Sequence, residues 1–261
     1  MSTEVVGYDH SEGLATITLR RPTAANALDR ALKEQLRAAV ARAAADPGTR
    51  AVLLAAEGKN FCVGQDLAEH AAALESDPAH AMDTVAEHYN PLVAALAAIE
   101  VPVVVAVNGA CVGAGLGIAL AGDVRIAGEG AKFSTAFTGI GLASDSGLSH
   151  TLARAVGVSR AAGLMLLGDR FTAAQALDWG LVHRVVPDAD LAEAAIATAR
   201  GLASGPTRAF REVKALVGAD GSLADALVAE QRAQVALGAS EDHRQAVAAF
   251  LGKRPPLFRG R

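Results

Sequence analysis

Positive charge is not in excess in this chain. Its 24 Lys and Arg stand against 28 Asp and Glu, a formal net charge of −4 at pH 7. Only the tail from Lys253 to Arg261 is basic, and no segment interleaves Lys and Arg with aromatic side chains, which make up 4% of residues. Nucleic acid is therefore not an expected partner, because its recognition needs a basic footprint. Cysteine is equally scarce. Cys62 and Cys111 lie in apolar surroundings and match no metal-ligand spacing, so reduced buried thiols, no metal and a cytoplasmic location are expected. The opening MSTEVVGYDH lacks the basic and apolar regions of a secretory leader. No membrane span is expected either. The charge-free stretch Val101–Gly122 contains Pro102, Asn108 and five glycines, and Glu100 and Asp123 flank it instead of basic anchors.

What is present is apolar and helix-forming. With 51% apolar and 20% charged residues over 261 positions, the chain has the composition of a globular protein with one large core, or a core plus an appendage. Glu4–Asp9 and Leu14–Arg20 alternate as two strands around Glu12-Gly13. Asp29 opens a helix whose Leu32, Leu36 and Val40 recur at helical spacing. A buried strand at Ala51–Ala56, a helix at about Ala79–Ala98 and a strand at Val103–Val107 continue a strand–helix rhythm. Val124–Ala127 reads as a further strand. Beyond Val158 the pattern is mostly helical, interrupted at Leu181–Val186. Leu191–Ala203, Thr207–Val217, Leu223–Leu237 and Glu241–Leu251 read as amphipathic helices, and their apolar stripes predict an oligomer.

The richest segment is VPVVVAVNGACVGAGLGIALAGD, Val101 to Asp123. A β-branched run ends at Asn108-Gly109, and Gly113, Gly115 and Gly117 then alternate with other residues at a helix start. Such a turn bares backbone N–H groups to an anion. A dinucleotide fingerprint is a poor fit, because the spacing is G-x-G-x-G and no acidic residue follows about 20 positions on. An oxyanion or phosphate cradle and a purely structural corner stay open on these residues alone.

Four segments considered together narrow the choice. They are Asn26-Ala27-Leu28 after Arg21-Pro22; Asn60-Phe61-Cys62-Val63-Gly64-Gln65-Asp66-Leu67; the Asn108–Asp123 corner; and Gly139-Ile140-Gly141-Leu142-Ala143-Ser144-Asp145-Ser146-Gly147. Their joint occurrence resembles the crotonase (enoyl-CoA hydratase/isomerase) superfamily, from about Val5 to the C-terminus. The resemblance implies an α/β fold with a ββα spiral core carrying the acyl-CoA site over residues 1–200. It also implies a helical trimerisation region over 201–261, giving a homotrimer or a hexamer built as a dimer of trimers. The substrate would be a coenzyme A thioester, with no separate cofactor. Its enolate oxygen would be held by the backbone N–H groups of Gln65 and Ala114, with Gly64 beside them. Asn26 and Ala27 would border the coenzyme A channel, and Lys253 or Arg254 would meet its phosphates.

The base is where the chain departs from its relatives. Similar hydratases carry two glutamates, and the matching positions here are Gly117 and Phe137, neither of which titrates. Asp145 is the remaining candidate. Taken alone it reads equally as a helix N-cap, but Phe137, Ile140, Leu142 and Leu148 surround it with apolar character that raises a carboxyl pKa. The resemblance adds that some relatives without the glutamates use an aspartate here, among them the 1,2-epoxyphenylacetyl-CoA and Δ3,Δ2-enoyl-CoA isomerases. Glu87-His88-Tyr89-Asn90-Pro91-Leu92-Val93 also looks like that branch, placing Tyr89 and Asn90 at the acyl pocket or, equally, on a helix face covering the core. A dehalogenase is not expected, since Asn90 and Phe137 replace the His and Trp of that relative. His150 lies five residues from Asp145 with no G-x-S-x-G elbow, which gives no hydrolase triad. Asp66 is expected to cap the next helix, and His183 to sit at a strand edge.

Overall fold

The computed structural model describes residues 4–261; Met1–Thr3, part of the N-terminal segment read above, lie outside the described residues. The hairpin β1 (Val6–Ser11) and β2 (Leu14–Leu19) leads into α1 (Arg30–Ala45), whose Asp29 side chain accepts the Leu32 N–H. There follow β3 (Ala51–Ala56), α2 (Leu67–Ser76), α3 (Asn90–Ala97), β4 (Val103–Val107), β5 (Ala110–Val112) and α4 (Ala114–Leu120). The chain continues through β6 (Val124–Gly128), β7 (Lys132–Ser134), α5 (Leu148–Val156), α6 (Val158–Leu167), β8 (Phe171–Thr172), α7 (Ala173–Asp178) and β9 (Arg184–Val186). Four helices close it: α8 (Leu191–Ala203), α9 (Thr207–Gly218), α10 (Leu223–Gly238) and α11 (Glu241–Leu251).

Six strands form one sheet in the order β1-β2-β3-β4-β6-β9, antiparallel only at β1–β2; β5, β7 and β8 form a second, smaller sheet. Strand side chains alternate between faces, and the large sheet buries both. One face gives Ile17, Val52, Leu54, Val103, Val105 and Val107 to a core shared with α1, α3 and α4. The other gives Leu53, Val104, Ala106 and Ile126 to α8, whose Leu191, Ala195, Ala199 and Ala203 form a four-residue stripe. Parallel strands covered on both faces explain the near-continuous Val/Leu/Ala runs.

The expected helix over 79–98 is shorter and interrupted. Residues 78–83 are turns, Val85–Tyr89 is a π-helical turn, and α3 begins only at Asn90. Pro91 supplies the reason: without an N–H it cannot continue the ladder, and the Asn90 N–H reaches back five residues to the Val85 carbonyl. The segment 181–186 that interrupts the helical pattern holds the short strand β9. The C-terminal helices are anchored by Arg50, which donates from Nε to Thr207 Oγ1 at 2.8 Å, and by the Lys214–Asp123 ion pair at 2.8 Å. They nevertheless leave Val217, Leu223 and Phe250 exposed. Among the described residues, no helix is long and apolar enough to cross a membrane.

Candidate active site

Two loops cross at the C-terminal ends of β3 and β4. The first, Phe61–Asp66, pairs with the chain on both sides. The Leu28 N–H donates to the Gly64 carbonyl at 2.8 Å, and the Val112 N–H to the Cys62 carbonyl at 2.9 Å. Gly64 adopts φ +88°, and a side chain there would press on the Val112 carbonyl at 3.1 Å and the Ala114 nitrogen at 3.4 Å. The second loop turns at Gly113, φ +57°, into α4, with the Gly113 N–H donating to the Ser134 carbonyl at 3.0 Å. Gly115 lies so close to Cys62 that an added Cβ would stand 2.5 Å from its carbonyl oxygen and 2.9 Å from Sγ. Glycine is required at these crossings by contact and by left-handed backbone. Among the described residues, neither the Gln65 nor the Ala114 N–H is taken by a protein acceptor.

Both junctions open into one cavity of about 390 Å³, with Ala27, Gly64, Phe137 and Asp145 also in its wall. Among the described residues, Asp145 is the sole titratable side chain lining it. A small apolar annex of about 40 Å³ shares Gln65, Phe137 and Asp145 and adds Tyr89, Leu142 and Met82. Eight of the ten expected site residues thus line the cavity or its annex. The other two do not: Asn26 is buried, and its carboxamide is committed to the Arg21 N–H and to the carbonyls of Glu57 and Asn60. Asn90 is exposed on α3 and lines neither space.

Asp145 does not cap α5. Gly147 occupies that position at φ +67° without a side-chain cap, and the Leu148 N–H donates to the Asp145 backbone carbonyl at 3.0 Å. Ser146, held at φ +53°, donates its hydroxyl to Asp145 Oδ1 at 2.8 Å. Non-glycine residues in that region carry strain of about 1–3 kcal/mol, here spent beside the carboxylate. Burial pushes the Asp145 carboxyl above its ordinary range; the Ser146 hydroxyl, its own N–H and the Lys33 charge offset this only in part. Asp66 behaves oppositely. Burial raises it, but the Glu69 N–H, the Arg21 guanidinium at 2.6 Å and the Ala68 N–H outweigh that and hold it below the usual carboxylate range. As expected, it caps α2.

The missing glutamate at 117 has a steric counterpart. A Cβ on Gly117 would stand 2.6 Å from Ser146 Cβ and 2.8 Å from its carbonyl oxygen. Cys62, whose Sγ accepts the Gly64 N–H at 3.4 Å, is pushed up to about 12 by burial and stays a neutral thiol. His183 leads into β9 and accepts the Arg125 N–H at 3.1 Å, away from the cavity. Lys253 and Arg254 are exposed beyond α11.

Lys33 escaped the sequence reading. Its ammonium is buried, with bonds to Thr84 Oγ1 at 2.7 Å, Glu69 Oε1 at 3.3 Å and Gln65 Oε1 at 3.5 Å. A signal was there: Lys33 falls in register with Leu36, Val40 and Ala43 on the apolar stripe of α1.

A glycine-built crossing of two loops over an apolar cavity, with one desolvated carboxylate and two free amides in its wall, is an arrangement able to hold an oxyanion. Known proteins agree. A family model described as enoyl-CoA hydratase/isomerase matches residues 9–261. A Rhodobacter capsulatus protein named a probable enoyl-CoA hydratase is 43% identical over 263 residues, covering 100% of each chain. The 1,2-epoxyphenylacetyl-CoA isomerase of Escherichia coli is 38% identical over 252 residues, 96% of each. A solved structure from Mycobacterium abscessus, provisionally described as an enoyl-CoA hydratase/isomerase, superimposes with a TM-score of 0.96 at 59% identity, covering 98% of this chain and 100% of that one. The chain belongs to the enoyl-CoA hydratase/isomerase family of the crotonase superfamily.

Proposed function

We propose that this chain is an acyl-CoA isomerase that moves a proton, and with it a double bond or a ring-epoxide bond, through a thioester enolate. The observation that carries the reading is the solitary carboxylate: Asp145 alone titrates in the wall of the main cavity, which the Gln65 and Ala114 amides also line. The thioester oxygen accepts both N–H groups. Asp145, ionised, takes a proton from the acyl α-carbon, and the electron pair passes into the carbonyl as an enolate. For a 3-enoyl thioester the protonated Asp145 then delivers that proton to the γ-carbon, leaving the 2-enoyl product with atoms and charge balanced. Loss of one such amide typically costs about 2.7–4 kcal/mol of barrier, so two supply at most about twice that.

Hydration needs more, since one group must position water while another manages the proton. Gly117 and Phe137 supply neither. Double-bond migration in a 3-enoyl-CoA is therefore expected to exceed water addition to a trans-2-enoyl-CoA, and Asp145→Asn to lower migration by about 10²–10⁴-fold. A faster hydration rate, or an unimpaired Asp145→Asn variant, sinks the reading. Hydration is kept as the second reading because the Rhodobacter capsulatus relative is named a probable hydratase.

The same proposal takes the exposed apolar residues of α9–α11, Val217, Leu223 and Phe250 among them, as the contact of a homotrimer or a dimer of trimers in the cytoplasm. Sedimentation of the purified chain as a monomer at micromolar concentration would remove that part.

A further inference from the structure

We propose that Lys33 and Tyr89 are positioning residues that clamp the Gln65 carboxamide and so set the direction of the Gln65 N–H. The inference rests on the enolate reading above and deepens it.

Three observations bear on it. First, the backbone alone holds this junction loosely on one side. The Asp66 N–H reaches the Leu28 carbonyl at 3.3 Å, longer than the 2.8 Å bond from the Leu28 N–H to Gly64. The side chain provides the remaining anchor: Gln65 Oε1 accepts both the Tyr89 hydroxyl and the Lys33 ammonium. Second, both donors are buried at a penalty that packing does not explain. Tyr89 is 1% exposed and Lys33 2%. All three ammonium hydrogens are committed, to Thr84, Glu69 and Gln65, and the charge also lies 5.2 Å from the Tyr89 ring centre. An apolar side chain of similar volume serves a core at least as well as a buried ammonium paired with a half-exposed carboxylate. Third, Tyr89 ends the π-helical turn Val85–Tyr89, an irregularity found frequently at functional sites. Continuing one residue on, Asn90 is exposed while Tyr89 faces Gln65, Phe137 and Asp145 in the annex.

The electrostatics point the same way. Burial, first of all, with the Asp145, Glu69 and Asp66 charges, keeps the Tyr89 hydroxyl protonated, so it remains a donor to Gln65 at any working pH. The Lys33 charge acts on Asp145 as well, favouring the ionised base. One lysine thus supports the amide that receives the enolate charge and the carboxylate that creates it.

The test uses Tyr89→Phe and Lys33→Met in the full-length enzyme. Each is expected to lower kcat for migration in trans-3-hexenoyl-CoA fivefold or more with KM changed less than twofold, and with an unaltered thermal midpoint. In parallel, the carbonyl stretch of bound trans-2-hexenoyl-CoA, read by Raman difference spectroscopy, should move back toward its solution frequency. A purely structural tyrosine or lysine would not change that frequency. Should Lys33→Met fail to fold, Tyr89→Phe decides alone. Retention of more than one fifth of kcat, or an unshifted stretch in a variant that binds the thioester, overturns the clamp. An inactive Asp145→Asn beside fully active clamp variants defeats the clamp and leaves the enolate reading standing. A fully active Asp145→Asn defeats the enolate reading, while the carbonyl frequency still judges the clamp.

Discussion

The two loops that meet over the cavity are stiffened by opposite means. The Gly113–Gly115 junction is held by main chain and by absence of side chains: Gly113 is bound to Ser134, and Gly115 is pressed onto Cys62. The Gly64–Asp66 junction is held chiefly by side chains, with Asp66 locked to Arg21 at 2.6 Å and Gln65 to Tyr89 and Lys33. The lesson is that one donor is fixed by what cannot be added, and the other by what cannot be removed. Substitutions should therefore injure the two sides differently.

Of the two junctions, the larger effect is expected at the first. Gly113→Ala forces an L-residue into φ +57°, ψ −125°, and reorienting the following N–H should lower kcat by about 10²–10³-fold. Steady-state kinetics with circular dichroism as a folding control checks this. Gly115→Ala should act through stability, since its Cβ meets the Cys62 carbonyl at 2.5 Å. Overpacking of about 1–3 kcal/mol is expected, lowering the thermal midpoint by about 2–4 °C for each kcal/mol.

On the second junction, Arg21→Met should be milder, about 1 kcal/mol after allowing for the partial exposure of both partners. Its signature is in acid. Asp66 has a folded pKa below its unfolded value of about 3.9. Its contribution is present above that value and is lost as pH falls through the folded pKa. Removing Arg21 should shrink that loss in an acid-unfolding series. A variant as acid-sensitive as the parent would show that the backbone N–H groups alone hold Asp66.

The smallest effect has the opposite sign. Asp145 has a folded pKa above its unfolded value, so its contribution to stability is present below about 3.9 and is lost as pH rises through the folded pKa. Asp145→Asn should therefore raise the midpoint slightly near pH 7, bring no gain in acid, and lower turnover in the same preparation by about 10²–10⁴-fold. In the parent, the acidic limb of kcat/KM should fall above about 3.9.

Much of this was legible before any coordinates. Regular elements announced themselves by period: the Leu32/Leu36/Val40 stripe, the alternating hairpin, the β-branched runs of a doubly covered sheet and the Asp66 cap. The glycine corner was legible as a tight turn at a helix start, because contact and positive φ leave a compositional mark. The three short strands β5, β7 and β8 did not, since two or three residues are too few for a period. The π turn was hidden because Pro91 marks a break without saying how the chain closes it. Asn26, placed by the resemblance at the coenzyme A channel, has its carboxamide saturated by Arg21, Glu57 and Asn60, partners that only the fold brings together. Lys33 was obscured by its neighbours, because α1 reads as a surface helix until the Thr84 and Gln65 partners arrive from distant segments.

The contact between Gly117 and Ser146 also limits which descendants this enzyme can have. A side chain installed at 117 by one mutation would strike Ser146, whose hydroxyl donates to Asp145, so on the proposed reading it would disturb the base before completing a second one. Ser146 would have to retreat first, a change with no reward of its own. The route to a two-carboxylate hydratase is thus ordered, and adaptation from this starting point is steered toward reshaping the acyl annex.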